Sequence, residues 1–169
     1  GTMLVCTIIS FMAAYGIAHI PGKLGNVLYL IFTLGQIIPF HSIMIALSVQ
    51  LTNANLLNNL TVLILLYAGF HGAFGIFTYV GFLKSIPKEL EEAAAIDGCG
   101  MFRCMWQVIF PLVRSTSITL LVLFFLWTWN DFLMPNLYVS DSGKRTLTVA
   151  IYMFKSTSGS EWNLMLAGM

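Results

Sequence analysis

Long apolar segments alternate with short polar segments along this chain. Residues 24–83 contain no charged side chain. A helix of about 20 apolar residues crosses the hydrocarbon core of a bilayer, which is about 30 Å thick. The uncharged run is therefore long enough for two crossings and the turn that joins them. The pattern predicts a helical membrane protein.

The apolar pattern divides the chain into four complete spans and part of a fifth. The complete spans are predicted at residues 3–20, 27–51, 60–83 and 111–130. Pro39 lies inside the second span, where a proline removes one helical hydrogen bond and is expected to kink the helix. Residues 131–160 are expected to form an outer-side loop, and residues 161–169 the start of a last span near Trp162. Because that span is cut short, we expect the chain to be a piece of a longer protein.

The polar segments predict the orientation of the spans. Residues 84–114 carry eight of the fifteen charged side chains, whereas the asparagine-rich turn at residues 52–59 carries none. Alternation of the spans puts Lys23 on the same side as residues 84–114, and that side then holds five of the eight Lys and Arg residues. Basic residues are more frequent on the cytoplasmic side of a membrane. Residues 84–110 are therefore predicted to form a cytoplasmic loop.

Composition excludes several other classes of protein. Hydrophobic residues make up 58% of the chain and charged residues 9%, whereas soluble domains have about 25% charged residues. The net charge of +1 provides no basic face for nucleic acid. The three cysteines form no CxxC pair, and the three histidines lie on separate predicted elements. We therefore expect no metal site and no catalytic residues.

The third predicted span has a face of small residues. Ala68, Gly69, Gly72 and Gly75 recur there at helical spacing. Such faces allow two helix backbones to approach closely. We expect this face to pack against another helix of the same chain.

The cytoplasmic loop contains signals for two short helices. Residues 85–98 have Pro87 at the expected first helical position, three glutamates near the positive end of the helix dipole, and Gly98 where a left-handed residue ends a helix. Residues 101–109 are predicted to form a second short helix. The first helix is amphipathic, so the loop either lies on its own helical bundle or is a docking element for another protein.

At these residues the chain resembles a known family. Glu92-Ala93-Ala94, three residues, Gly98, nine residues and then residues 108–111, Val-Ile-Phe-Pro, resemble the EAA loop of ATP-binding cassette (ABC) importer permeases. The family pattern has Ile at Val108 and Leu at Phe110, and both differences are conservative apolar changes. The spacing of the glycine and the proline makes the resemblance specific.

Further segments resemble the MalG-like carbohydrate permeases of the maltose-system type. They are residues 86–98, with Asp-Gly after the alanines, residues 129–135, which begin Trp-Asn-Asp, and residues 146–150. Ala46 departs from the pattern, since relatives often have proline there. The resemblance implies an all-α, polytopic fold, the permease core of a type I ABC importer.

The resemblance also implies a role and a set of partners. It implies a permease subunit of an ATP-driven sugar importer, located in the inner membrane of a bacterium or archaeon and surrounded by membrane lipid. Its partners would be a second homologous permease, ATP-binding subunits and an extracytoplasmic sugar-binding protein. The chain is then not an enzyme and binds no cofactor. It lacks the GxxxxGK[ST] loop that holds ATP phosphates, and ATP would be used by the partner ATPase.

The family assigns the coupling role to particular positions of this loop. The residues implied to contact the ATPase are Glu92, Ala93, Ala94, Asp97 and Gly98. Pro111 is implied to set the angle at which the chain re-enters the membrane. In the family, this contact transmits closure of the ATPase on ATP binding to the permease.

Other polar and aromatic residues are candidates for the substrate pathway. They are Gln36, His41 and His71 within the spans, and Trp127 and Asn130 at the outer boundary. The alternative roles are hydrogen bonds between helices, and an interfacial aromatic belt with a helix-end cap, which we favour. Two other functions stay open at this point. One is an ABC permease for a non-sugar solute, and the other is a membrane enzyme, for which the sequence shows no convergent catalytic groups.

Overall fold

A computed structural model describes residues 1–157 of the chain, and in this part all regular structure is helical. The predicted span near Trp162 lies outside the described residues. The helices are α1 (Thr2–His19), α2 (Lys23–Gly35), α3 (Phe40–Asn53), α4 (Leu60–Leu83), α5 (Glu89–Ile96), α6 (Met101–Cys104), α7 (Phe110–Leu112), α8 (Arg114–Asn130), α9 (Leu133–Tyr138) and α10 (Leu147–Thr157). A π-helical segment, Met105–Ile109, joins α6 to α7, and a 3-10 turn, Ser142–Lys144, follows α9.

Two helices of the described part, α1 and α4, are each long and apolar enough to cross a membrane. Two bent pairs, α2 with α3 and residues 101–112 with α8, raise that number to as many as four if each pair is one span. The predicted all-helical fold with several candidate spans is confirmed.

The second predicted span, residues 27–51, is not one kinked helix. Its two halves, α2 and α3, meet at an angle of 93° across a break at residues 36–39. Pro39 is the residue before α3 and has an extended backbone, with φ −70° and ψ 136°. It has no N–H to continue the hydrogen-bond ladder of α2, and it disfavours helical backbone at the residue before it. A proline at this position therefore separates two helices.

The fourth predicted span, residues 111–130, also begins differently. Pro111 lies within α7, and the bend of 79° between residues 101–112 and α8 falls at Val113. A proline ring crowds the carbonyl four residues earlier, here that of Gln107 inside the π-helical segment. The wider π turn accommodates the proline, and the chain changes direction two residues after it.

The core of the described part is built where α1 packs against α4. Ala68, Gly72 and Gly75 on α4 are buried there, whereas Gly69 is exposed. A Cβ atom at Gly75 would overlap the Ser10 hydroxyl oxygen of α1. Only glycine allows this approach, so three of the four small residues pack within the chain as predicted.

An aromatic cluster joins the same core to the loop helices. The ring of Phe11 on α1 is fully buried. It lies 5.4 Å from the ring of Tyr79 on α4, 5.5 Å from Trp106 and 5.2 Å from Phe110. Edge-to-face contacts of this kind are favourable beyond the area they bury. The loop after α5 is thus fixed to the α1–α4 pair.

We call the end of the bundle that carries α5 the loop end, and the opposite end the asparagine end. At the asparagine end, Asn55 and Asn58 have φ values of 55° and 59°, as the predicted turn requires. The Asn58 side-chain oxygen accepts hydrogen bonds from the backbone N–H groups of Ser140 and Asp141, each at 2.8 Å. Asn58 therefore supplies the left-handed backbone of the α3–α4 turn and also binds the segment after α9.

The Gly75 contact gives a test of this packing. Replacing Gly75 with Ala should lower the free energy of unfolding by about 1–3 kcal/mol, because the new Cβ overpacks the contact with Ser10. Gly69→Ala is the matched control, since no heavy atom lies within 4 Å of that Cβ position. Thermal unfolding of the full-length protein in detergent measures the difference, and equal midpoints for the two variants would contradict the packing described here.

Candidate functional site

The helix α5 at the loop end is closed by a turn made of backbone hydrogen bonds. The Cys99 N–H donates to the Ala94 carbonyl at 2.9 Å, and the Gly98 N–H donates to the Ala95 carbonyl at 3.0 Å. Gly98 has φ +77°. This pair of bonds with a left-handed glycine is the Schellman motif, so the predicted helix end at Gly98 is confirmed.

The start of the helix differs by two residues from the sequence expectation. The helix begins at Glu89, and Pro87 lies in the turn before it, where its carbonyl accepts a hydrogen bond from the Leu90 N–H at 3.4 Å. Glu91 and Glu92 remain in the first turn. Their carboxylates lie near the positive end of the helix dipole, as predicted.

The residues assigned to coupling lie on different sides of the loop. Glu92, Ala93, Asp97 and Gly98 are exposed, whereas Ala94 is buried against the bundle. Pro111 is exposed and belongs to α7. Four of these residues therefore lie on one accessible surface, and the buried side chain of Ala94 attaches the helix to the bundle.

Large apolar side chains surround that surface, and sequence reasoning did not single them out. Ile96 is 87% exposed, Phe102 68% and Met101 59%. Successive residues of an α-helix are about 100° apart, so Ile96 projects from the side opposite Ala94. The sequence signal for this exposed side chain was the spacing of Ile96 two residues after Ala94, which places the two on opposite sides of a helix.

The first transmembrane helix contacts α5 through a polar pair, which sequence reasoning also missed. The His19 Nε2 atom lies 2.5 Å from the Glu91 Oε2 atom. The other ring nitrogen, Nδ1, lies 2.7 Å from the Tyr15 carbonyl oxygen. The pair lines a cavity of about 590 Å³ between the ends of α1, α4 and α5.

A second cavity, of about 470 Å³, lies near the asparagine end. Its walls come from α3, α4, the end of α8 and α9. The lining residues are Phe40, His41, Tyr67, Phe70, His71, Leu126, Trp127, Asn130, Asp131, Leu133 and Met134. Four of the five pathway candidates therefore line one cavity. The exception, Gln36, is exposed in the break between α2 and α3 and does not line it.

A hydrogen bond between Tyr67, which sequence reasoning did not single out, and Asp131 organises this cavity. The Tyr67 hydroxyl donates a hydrogen bond of 2.6 Å to the Asp131 carboxylate, which also accepts from the Leu133 N–H at 2.9 Å. The carboxylate therefore caps the start of α9 and ties it to α4. Spacing could not reveal the pair, because its members are 64 residues apart.

The aromatic walls of this cavity are stacked on a histidine. The His71 ring lies 5.4 Å from the Tyr67 ring and 5.6 Å from the Phe124 ring, with interplanar angles of 18° and 13°. Trp127 is 5.4 Å from the same ring and 40% exposed. The Asn130 side chain donates to the Leu126 carbonyl of its own helix at 2.7 Å, the helix-end capping favoured above. The cavity combines flat apolar rings with a carboxylate.

Within residues 1–157, no group of three His, Cys, Asp or Glu side chains is placed to hold a metal ion. Cys6, Cys99 and Cys104 are free thiols. The described side chains are therefore arranged for binding a solute and for packing between helices.

Comparison with known proteins decides the family. The pattern of the family described as "binding-protein-dependent transport system inner membrane component" matches residues 7–168. The chain belongs to this family. Its members are transport components of the inner membrane, not enzymes, as the resemblance implied.

Individual relatives agree with this assignment. The chain is 42% identical over 168 residues to a probable starch degradation products transport system permease protein, AmyC, of Thermoanaerobacterium thermosulfurigenes, covering 99% of this chain and 61% of the relative. It is 36% identical over 166 residues to the multiple sugar-binding transport system permease protein MsmG of Streptococcus mutans, covering 96% and 58%.

A third relative has a different named solute. The chain is 32% identical over 163 residues to the sn-glycerol-3-phosphate transport system permease protein UgpE of Yersinia pestis, covering 95% of this chain and 57% of the relative. The chain thus spans about three-fifths of the length of the relatives that it matches.

The Tyr67–Asp131 hydrogen bond can be tested by removing one hydroxyl. Tyr67→Phe should lower the free energy of unfolding by about 1.5–3 kcal/mol, because a hydrogen bond to a carboxylate is lost. Tyr29→Phe is the control, since that hydroxyl makes no hydrogen bond within the described residues. Thermal unfolding in detergent compares the two, and an equal loss in both variants would show that the Asp131 contact contributes nothing.

Proposed function

We propose that the full-length protein is a permease subunit of an ATP-driven sugar importer. Membership of the family and the sugar-related names of two relatives support this proposal. The single observation that carries the coupling role is the α5 helix, which is anchored by Ala94, ended at Gly98 and exposed along the side that bears Glu92 and Ala93. The protein forms part of the translocation pathway, and a separate ATPase supplies the energy.

The loop end is the docking surface for the ATP-binding subunits. A helix that is fixed on one side and presents small and apolar residues on the other suits a groove in a partner protein. Ala93 allows close approach, and Ile96 and Phe102 supply apolar area that would otherwise face water. Glu92 and Asp97 add negative charge at the rim of this surface. The loop end is accordingly on the cytoplasmic side.

The cavity near the asparagine end contributes to the sugar pathway. Carbohydrates pack their C–H faces on aromatic rings and form hydrogen bonds with carboxylates and amides. Trp127 and His71 supply ring faces, and Asp131 supplies a carboxylate. His41 and Asn130 complete the polar lining. The second homologous permease and an extracytoplasmic sugar-binding protein complete the importer.

A non-sugar solute is the second candidate, because one relative is named for sn-glycerol-3-phosphate transport. A phosphorylated solute requires cationic groups along its path, since phosphate is recognised mainly by Arg, Lys and backbone N–H groups. The lining of this cavity contains the carboxylate of Asp131 and no Lys or Arg. The chemistry of the lining therefore favours a neutral sugar.

The docking surface can be tested by placing a charge on it. Ile96→Asp should reduce co-purification of the ATP-binding subunits by at least about tenfold, because burying one large aliphatic side chain contributes about 1.5–3 kcal/mol. The full-length protein is expressed with its own ATPase subunits and purified in detergent. Leu137→Asp is the matched control, because Leu137 is 38% exposed at the other end of the bundle. Retention of the ATPase by Ile96→Asp, or no ATPase with the unmodified protein, would refute the docking role.

The pathway can be tested with two tryptophans that are close in sequence. Trp127→Ala should lower uptake of a labelled malto-oligosaccharide by about tenfold, the loss expected when an aromatic contact is removed, while ATPase co-purification is retained. Trp129→Ala is the control, because Trp129 is not in the cavity lining. Uptake of sn-glycerol-3-phosphate is measured in parallel. Import of that solute without the sugar would establish the second candidate.

A further inference from the structure

The His19 ring occupies a position between two oxygen atoms. Its Nδ1 atom lies 2.7 Å from the Tyr15 carbonyl, and its Nε2 atom lies 2.5 Å from the Glu91 carboxylate. A carbonyl oxygen and a carboxylate oxygen are both hydrogen-bond acceptors. A proton on Nε2 therefore gives a hydrogen bond from His19 to the Glu91 carboxylate.

The contact joins His19, the last residue of α1, to the first turn of α5. The Glu91 side chain is 26% exposed and that of His19 is 31% exposed, so water is only partly excluded from the pair.

Of the two ion-pair contacts in the described part of the chain, only His19–Glu91 joins α5 to another helix. The other, Lys144–Asp141, is a local contact three residues apart. The titratable groups near His19 and Glu91 are Tyr15, Lys84, Lys88, Glu92, Cys99 and Cys104. The Lys84 ammonium lies 4.8 Å from the centre of the Tyr29 ring on α2, where it makes a cation–π contact.

We propose that His19 is a positioning residue for coupling, and that its hydrogen bond to Glu91 holds α5 against the end of α1 so that ATP hydrolysis drives transport. This inference rests on the proposed function. Since α1 packs on α4 through Ser10 and Gly75, the pair connects the docking helix directly to the core of the described part. Movement of α5 by the ATPase is then transmitted to α1 through this contact.

The experiment uses the assembled importer in proteoliposomes with its sugar-binding protein. Sugar uptake and ATP hydrolysis are measured together in each preparation. His19→Phe keeps a flat ring but has no hydrogen-bond donor, and it should lower uptake per ATP by about fivefold. His19→Arg restores a donor to Glu91 and should retain coupling.

Two acidic residues on α5 provide the matched comparison. Glu91→Ala removes the acceptor of the pair and should lower uptake per ATP by as much as His19→Phe does. Glu89→Ala shortens an exposed side chain of the same helix and should leave uptake per ATP unchanged. The ratio of uptake to hydrolysis within each preparation corrects for differences in the amount of assembled importer.

The failure of this inference differs from the failure of the proposed function. If the ATPase subunits do not assemble with the unmodified protein, the proposed function fails. If they assemble and His19→Phe and Glu91→Ala keep the uptake per ATP of the unmodified importer, the positioning role of His19 is wrong. If His19→Phe does not assemble, the comparison of Glu91→Ala with Glu89→Ala still decides the question.

Discussion

The close approach of α1 and α4 at Gly75 is the constraint on which the rest of the structure depends. The Ser10 hydroxyl occupies the space that any larger side chain at Gly75 would need. With the two helices in this contact, Phe11 reaches the rings of Tyr79 and Phe110. Both the loop end and the asparagine end take their positions from this one crossing.

The two prolines within the predicted spans have different structural consequences. At Pro39 the chain breaks into α2 and α3, whose axes meet at 93°. Pro111 is accommodated by a π-helical segment, and the chain bends at Val113. The difference arises from the surroundings. Gln36, Ile37 and Pro39 are exposed, so little packing opposes a break there. Val113 is fully buried, and the tertiary contacts of the loop decide where the chain turns.

Sequence reasoning succeeded where a local signal determines the structure. The helical ends at Gly98 and at the asparagine turn follow from backbone preferences of single residues, and the small face of α4 follows from helical spacing. The Tyr67–Asp131 and His19–Glu91 contacts could not be predicted, because they join residues 64 and 72 positions apart. Such contacts depend on how helices cross, and hydropathy determines only that the helices exist. The large angle at Pro39 was missed for the same reason.

The end of α5 depends on the backbone of Gly98, not on any exposed side chain. The outer surface of this helix can therefore change in sequence without altering where the helix stops. In the proposed docking role, replacements at Ile96 and Phe102 would change the shape of the surface offered to a partner and leave the length of the helix unchanged. The specificity of that contact could then change through a few surface residues while the backbone of the loop stays the same.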